Sequence, residues 1–264
     1  MATTAQIREH YDSLALIYRT FWGDHIHHGL FVSGRESPEE AQVKLLDHCS
    51  KLVSPAGSVL DVGCGHGGTA LYLAERFGCE VLGLTLSEKQ AQFAQANAKS
   101  ARLQNRVQFV ISDADAYEFP AEAFDLVWTM ESSEHFADKK RYFCNVVRTL
   151  RPNGRLLLAA WTGSMERPRV QGVANAVLCP ELWTAEEYGS AIAEVGLILT
   201  SQEDLARLVI RTWEICRDRA RLARAAHALL PRAAREFVDG IDIILDAYRS
   251  GDLTYTVITA EKPA

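Results

Sequence analysis

Several short clusters in this 264-residue chain combine residue types that hold ligands or move protons. The first is Asp61-Val62-Gly63-Cys64-Gly65-His66-Gly67-Gly68. Its glycines carry no Cβ, so backbone can pass close to a ligand and adopt φ > 0. The Asp61 carboxylate just before them suits a positive group. The second cluster is Thr85-Leu86-Ser87-Glu88-Lys89-Gln90, and the third is Ser112-Asp113-Ala114. The fourth, Met130-Glu131-Ser132-Ser133-Glu134-His135, ends in an imidazole that titrates near neutral pH, next to the Glu134 carboxylate. A further run, Trp22 to Phe31, is dense in aromatic residues and in the histidines His25, His27 and His28. No cysteine stands near them, and their spacing does not put two ligands on one helix face. That run therefore reads as a loop over a pocket, offering imidazole hydrogen bonds, and no metal site is expected.

The first four clusters each come directly after an apolar run of strand length. Val59, Leu60 and Val62 suit a strand covered on both faces over 58–62, and helical spacing continues over 68–77. A strand over 80–84 leads to a helix over 87–101 with Ser87 as its N-cap. Strands over 107–111 and 124–129 come next, then a helix over 138–150 that starts at Asp138. Arg151-Pro152-Asn153-Gly154 is a turn signal before a strand over 154–161. A helix over 184–195, a strand over 197–202 and a last strand over 253–260 complete the alternation. This pattern predicts an α/β, doubly wound, Rossmann-like and mostly parallel seven-stranded sheet with right-handed crossovers. Ligands bind such sheets beyond the carboxyl ends of the strands, which is where the four clusters fall.

Two regions stand outside the alternation. Ile7, Tyr11, Leu14, Ile17, Tyr18 and Phe21 predict an amphipathic helix over 5–22. A second helix over 38–52 has Pro38, Glu39 and Glu40 in its first turn. Residues 204–249 form a long helical stretch between the last two strands. One domain is expected over 1–264, with an N-terminal helical cap (1–55), a core (56–203 and 251–264) and a helical substrate lid (204–250).

Composition narrows the functional classes. A formal net charge of -6 argues against a general nucleic-acid binder. The six cysteines are scattered with no C-x-x-C pair, as for reduced thiols in the cytoplasm. The first residues show neither a basic nor an apolar targeting region, and no apolar run reaches the roughly 20 residues that span a bilayer. Between Arg207 and Arg235, eight arginines stand against two acids, Glu214 and Asp218. They form either a solvated basic face or a surface for an anionic substrate or a peripheral membrane contact. The oligomeric state is open.

The glycine run also fits G-x-G-x-x-G at Gly63, Gly65 and Gly68, the dinucleotide fingerprint. That fingerprint calls for an acid at the end of the next strand, where Thr85-Leu86 stands instead. Taken as a whole, Ser58–Ala70 resembles motif I of class I S-adenosylmethionine (SAM)-dependent methyltransferases. Trp128–Phe136 and Leu84–Ser87 are similar to one subgroup, which contains tocopherol C-methyltransferases, alkaloid N-methyltransferases and sugar O-methyltransferases, with the cyclopropane fatty acid synthases nearby. The resemblance runs from the Trp22–Phe31 loop to the last strand.

This resemblance implies SAM as cofactor and S-adenosylhomocysteine as product. It places the backbone of Gly63 and Gly65 at the methionine part of SAM, with Asp61 ordering that end. Thr85 and Leu86 take the place of the usual ribose acid, with Gln90 reaching back to a ribose hydroxyl. Asp113 accepts from the adenine amino group and Ala114 N–H donates to the ring, while Met130 lies near the SAM amine. Tyr11 and His28 close the pocket from the N-terminal side. His135 is the candidate base, and Glu134 stands second. Their structural alternatives are packing the start of helix 138–150 and serving that helix's dipole.

The implied reaction is an in-line methyl transfer from a sulfonium, in which positioning and exclusion of water supply most of the rate. The expected acceptor is a small or medium hydrophobic natural product, held by Tyr18, Trp22, Trp161, Trp183 and Trp213. C-methylation of a phenolic, prenylated or terpenoid acceptor leads, and N- or O-methylation of a specialised metabolite comes second. Leu158-Ala159-Ala160-Trp161 offers no acid, which counts against sugars. An NAD(P)-dependent reductase and a non-catalytic SAM-binding module are the distant alternatives.

Overall fold

A single sheet carries the chain. Its strands are β1 (Ser58–Val62), β2 (Glu80–Thr85), β3 (Val107–Ile111), β4 (Phe124–Met130), β5 (Leu150–Thr162), β6 (Ile198–Asp204) and β7 (Thr254–Glu261). These boundaries come from a computed structural model that describes residues 3–222 and 232–264. The strand order is β3-β2-β1-β4-β5-β7-β6. All neighbouring pairs are parallel except those made by β7, which runs antiparallel to both β5 and β6. The chain leaves β1 for β2 on one side and reaches β4 on the other, so the crevice of the sheet opens beyond the ends of β1 and β4. The doubly wound, mostly parallel sheet predicted from the alternation is borne out.

Helices cover both faces: α1 (Thr4–Trp22), α2 (Pro38–Val53), α3 (Gly68–Phe77), α4 (Glu88–Ser100), α5 (Lys139–Thr149), α6 (Pro168–Ala176), α7 (Ala185–Glu194), α8 (Ala206–Val209), α9 (Arg211–Leu222) and α10 (Arg232–Ser250). Alternate strand residues feed two cores. Val59, Leu126, Trp128, Leu157 and Tyr255 pack with residues of α2, α3, α6 and α10 on one face. Leu60, Val62, Val127, Leu156 and Ile258 pack with α5 and α7 on the other. Capping boxes at Thr3/Gln6, Ser37/Glu40 and Thr184/Glu187 fix the starts of α1, α2 and α7.

Three expectations change. β5 begins at Leu150 rather than 154, because the Arg151–Gly154 turn is a bulge within it: Asn153 has φ 61° and the register against β4 shifts there. Helix α6 lies between β5 and α7, where no element was expected. β6 extends to Asp204, so the helical segment starts at α8 rather than at 204. That segment includes residues 223–231, with Arg224 among them, which lie outside the described residues. Among the described residues no helix is long and apolar enough to cross a membrane.

Candidate active site

The glycine turn after β1 is held by Gly63 and Cys64, whose N–H groups donate to Leu84 O at 2.9 and 2.8 Å. Gly63 has φ 84°, and a Cβ there would lie 2.2 Å from Ser132 Cβ. Ser132 is itself fixed by donating to Val62 O at 2.7 Å. The ends of β1 and β4 are thus pressed together, and only glycine fits between them. Ahead of the turn opens a cavity with about 790 Å³ of empty space including its mouth, within the usual range for ligand pockets. Gly63, Gly65, Thr85, Leu86, Gln90, Asp113, Ala114, Met130 and His135 all line it. Residues separated by up to 72 positions in the chain, as Gly63 and His135 are, therefore share one wall, as binding at the strand ends requires.

Three predicted residues sit elsewhere, among them His28, which was expected to close this cavity and lines a second chamber. Asp61 is behind the turn and off the cavity wall: its Oδ2 is buried with no hydrogen-bond partner among the described residues, and burial pushes its carboxyl up to about 7. An orphaned acid under a glycine turn is a ready counter-group for a cationic ligand. Glu134 lines a second chamber instead.

The remaining groups in the first cavity are pre-set. Thr85 Oγ1 donates to Gln90 Oε1 at 2.9 Å, which leaves the Gln90 amide N–H₂ to donate to a ligand. Asp113 Oδ1 accepts Asp115 N–H at 3.0 Å, so this carboxylate caps its own loop while it lines the cavity. Helix α1 is tied across the cleft, with Asp12 accepting from Ser87 Oγ.

The second chamber holds about 650 Å³ of empty space, mouth included. Tyr11, Ile26, Glu131 and His135 line both chambers and form their junction. The second chamber's wall is largely aromatic: Tyr18 and Trp22 from α1, Trp161 from β5, Trp213 from α9 and Phe237 from α10. Trp22, Trp213 and Phe237 stack edge-on or tilted with centroids 5.9 to 6.0 Å apart. Trp183, also expected there, packs against Tyr188 and under Lys139 Nζ at 5.5 Å, outside the chamber. It lies past the end of β5, on the α5–α7 side of the sheet.

Glu131, to which the sequence pattern assigned no role, is the hub of this region. It stands just past β4 with φ 52°, a left-handed conformation that costs a non-glycine residue energy. Its Oε1 accepts His28 N–H and Tyr255 O–H, both at 2.8 Å. Its Oε2 accepts His28 Nδ1–H at 2.9 Å and Trp161 Nε1–H at 3.2 Å. Burial raises the carboxyl, but His28 and the hydrogen bonds it donates outweigh that and hold Glu131 down to about 2. On the far side, His28 Nε2 accepts from Trp213 Nε1–H at 2.7 Å. The histidine loop therefore ties the sheet to α9. A third acid at a strand end was the available signal, but four donors from distant segments could not be read from it.

Both imidazole nitrogens of His135 are engaged. Nε2 faces Tyr11 Oη at 2.8 Å, and Nδ1 faces Cys179 Sγ at 3.8 Å. Burial lowers the imidazole to about 4, so it is neutral at pH 7. Burial also holds the Tyr11 phenol well above its usual range, so its proton stays on and the O–H donates to Nε2. Glu134 accepts Trp161 N–H at 2.7 Å, yet burial dominates and pushes it up to about 7. Among the described residues no group of three His, Cys, Asp or Glu side chains is set to hold a metal.

Known proteins match this arrangement over nearly the full chain. The 27-O-demethylrifamycin SV methyltransferase of Amycolatopsis mediterranei (strain S699) is 31% identical over 274 residues, covering 99% of this chain and 98% of its own. The probable chloroplastic tocopherol O-methyltransferase of Oryza sativa subsp. japonica is 27% identical over 278 residues, covering 96% of this chain and 76% of its own. The geranyl diphosphate C-methyltransferase of Streptomyces coelicolor A3(2), solved with Mg2+, geranyl diphosphate and S-adenosyl-L-homocysteine, shares the fold at a TM-score of 0.77. It is 22% identical, over 98% of this chain and 97% of that one. The model of the mycolic acid cyclopropane synthetase family matches residues 1–216. The enzyme accordingly uses SAM, its acceptor is a small molecule, and the chain belongs to the mycolic acid cyclopropane synthetase family of class I SAM-dependent methyltransferases.

Proposed function

We propose that this enzyme methylates an uncharged hydrophobic small molecule, with a carbon of a phenolic, prenylated or terpenoid acceptor as the leading target. The observation that carries this reading is the chemistry of the second chamber. Its wall is aromatic, its Glu131 is saturated by four internal donors, and no Lys or Arg among the described residues lines it. A diphosphate would find no cation there among those residues. A flat ring finds aromatic faces and edges. Methylation of nitrogen or oxygen on a specialised metabolite is the second reading, because neutral His135 and Glu134 can take a proton from either.

In this reading SAM supplies an electrophilic methyl group in the first chamber, and the junction of Tyr11, Ile26, Glu131 and His135 sets the line of attack. The aromatic wall orients the acceptor and excludes water. The acceptor's proton has two candidate takers. The Tyr11–His135 pair is hydrogen-bonded, but an imidazole lowered to about 4 is a weak base. The Glu134 carboxyl at about 7 is matched to neutral pH, the favourable condition for general base catalysis. We assign Glu134 as the base and the Tyr11–His135 pair as the group that positions the acceptor.

The domain division serves the same reading with its boundary moved to the end of β6: 1–55 as cap, 56–204 and 251–264 as core, and the helices α8, α9 and α10 as lid, in one domain. All six cysteines are free, which supports a reducing compartment such as the cytoplasm. The test is incubation with methyl-labelled SAM and a panel of neutral phenols and terpenoid rings, amines, sugars and geranyl diphosphate. Transfer to the neutral rings is expected. Transfer to the diphosphate alone would refute the reading.

A further inference from the structure

Beyond the second chamber lies a third space, about 300 Å³ with its mouth, between the histidine loop, α2 and α9. Trp22 and Thr212 line both it and the second chamber, and no other described residue does. We infer that Trp22 and Thr212 frame a neck through which an apolar tail of the acceptor passes from the inner chamber to this outer one, and that Trp22 sets the tail length accepted. The inference rests on the hydrophobic-acceptor reading of the second chamber.

The chemistry of the outer chamber identifies its occupant. Phe31, Pro38, Ile215 and Cys216 give it an apolar wall. Its polar groups are already engaged. Gln42 Nε2 donates to His25 O at 2.6 Å and to Trp22 O at 3.3 Å. Thr212 Oγ1 accepts Gly29 N–H at 2.9 Å. Among the described residues no carboxylate lines it, and Arg219 is its one cation. A neutral polar ligand finds its hydrogen-bonding groups there already engaged, whereas each methylene removed from water gains about fourfold in affinity. Trp22 is the last residue of α1, and Gly23 after it has φ 81°, so the indole stands at the point where the chain turns out of the helix. Ring contacts to Tyr18, Trp213 and Phe237 hold the indole, with centroids 5.9 Å away in each case. These contacts fix the indole at the boundary of the two chambers.

The test uses the full chain loaded with S-adenosylhomocysteine and titrated with two series of rising chain length, 4-n-alkylphenols and n-alkanols. Affinity should climb about fourfold per methylene and then level off at a break. Trp22→Ala should move the break to longer chains, so that the ratio of long-chain to short-chain affinity rises about sixteenfold for two further methylenes. Cys216→Phe fills the outer chamber and should move the break to shorter chains. Trp22→Phe, a milder change, should give a smaller shift in the direction of Trp22→Ala. S-adenosylhomocysteine affinity, read in the same titrations, reports whether each variant is folded. A break at the same length in the wild type, Trp22→Ala and Cys216→Phe would overturn the inference. Phenols that bind with the expected break but never receive a methyl group would overturn the acceptor reading and leave the neck standing. Failure of both series to bind would overturn both.

Discussion

Replacing Glu131 with glutamine probes the hub of the site with almost no change of shape. The glutamine side chain keeps one oxygen and puts an amide N–H₂ where the other was. That amide faces two donors, either His28 N–H with Tyr255 O–H or His28 Nδ1–H with Trp161 Nε1–H. Two buried donors thus lose their acceptor, at about 1–3 kcal/mol each. A loss of roughly 2–6 kcal/mol results, or about 4–12 °C in Tm for a chain of this size. A linked pH effect gives an independent check. The folded-state carboxyl is depressed from 4.5 to about 2, so its ionised form contributes stability above pH 4.5 that disappears as pH falls toward 2. At about 1.36 kcal/mol per pH unit the contribution is about 3 kcal/mol. Urea unfolding of wild type and Glu131→Gln at a series of pH values should therefore show two curves far apart at pH 7 that converge near pH 2–3. Parallel curves, or a glutamine variant as stable as the wild type at pH 7, would refute the hub. In the same variant the loosened His28 should disturb the wall formed by Trp161 and Trp213 and raise KM for the acceptor more than Kd for SAM.

Other outcomes rest on the same geometry. With Glu134 as base, single-turnover methyl transfer should rise as pH increases through about 7, where the carboxyl ionises, and Glu134→Gln should flatten that profile and slow transfer by at least about 100-fold. If the rise persists in the variant, the base is another group. Tyr11→Phe removes the donor to His135 Nε2 and should lower kcat about tenfold while calorimetry shows unchanged SAM affinity. Asp61 is the reverse of Glu131: its pKa is raised by burial, so as pH rises from 3.8 past about 7 its ionisation destabilises the free protein. Asp61→Asn should then melt higher than the wild type at pH 8 and yet bind SAM more weakly; tighter binding would contradict its role as counter-group. Gly63→Ala, with φ 84° and a Cβ 2.2 Å from Ser132, should abolish SAM binding.

The residues that line the first cavity were legible one by one because each belongs to a local signal. A parallel strand buried on both faces is a short apolar run, and the residues next to it along the chain are also next to it in space. Gly63, Thr85, Asp113 and Met130 could be assigned to one crevice from the alternation alone, since a doubly wound sheet brings its strand ends to one edge. Asp61 was legible as important but not as hidden, because whether a residue at a strand's end faces the crevice or the layer beneath depends on the turn beyond it. The antiparallel course of β7 was not legible either. It is an interior strand buried along its length, and its residue pattern is that of a parallel strand covered on both faces.

The second chamber was decided only by the tertiary structure. Its wall joins Tyr18 and Trp22 of α1, Trp161 of β5, Trp213 of α9 and Phe237 of α10, none of them neighbours in a shared motif. Any one of these aromatics is as suited to a core as to a pocket, which is why Trp183 could be placed on the wrong side of the sheet. Glu131 shows the same limit: the sequence displays an acid after a strand, but not the four donors from three segments that make it structural. The contrast between Glu134 near 7 and His135 near 4 also comes from burial, which depends on the helices folded over them. The sequence by itself determined the sheet, the glycine turn and the crevice at the strand ends, because those rest on backbone geometry and local periodicity. The shape, polarity and acid–base character of the second chamber depend on long-range packing, and only the folded chain supplies it.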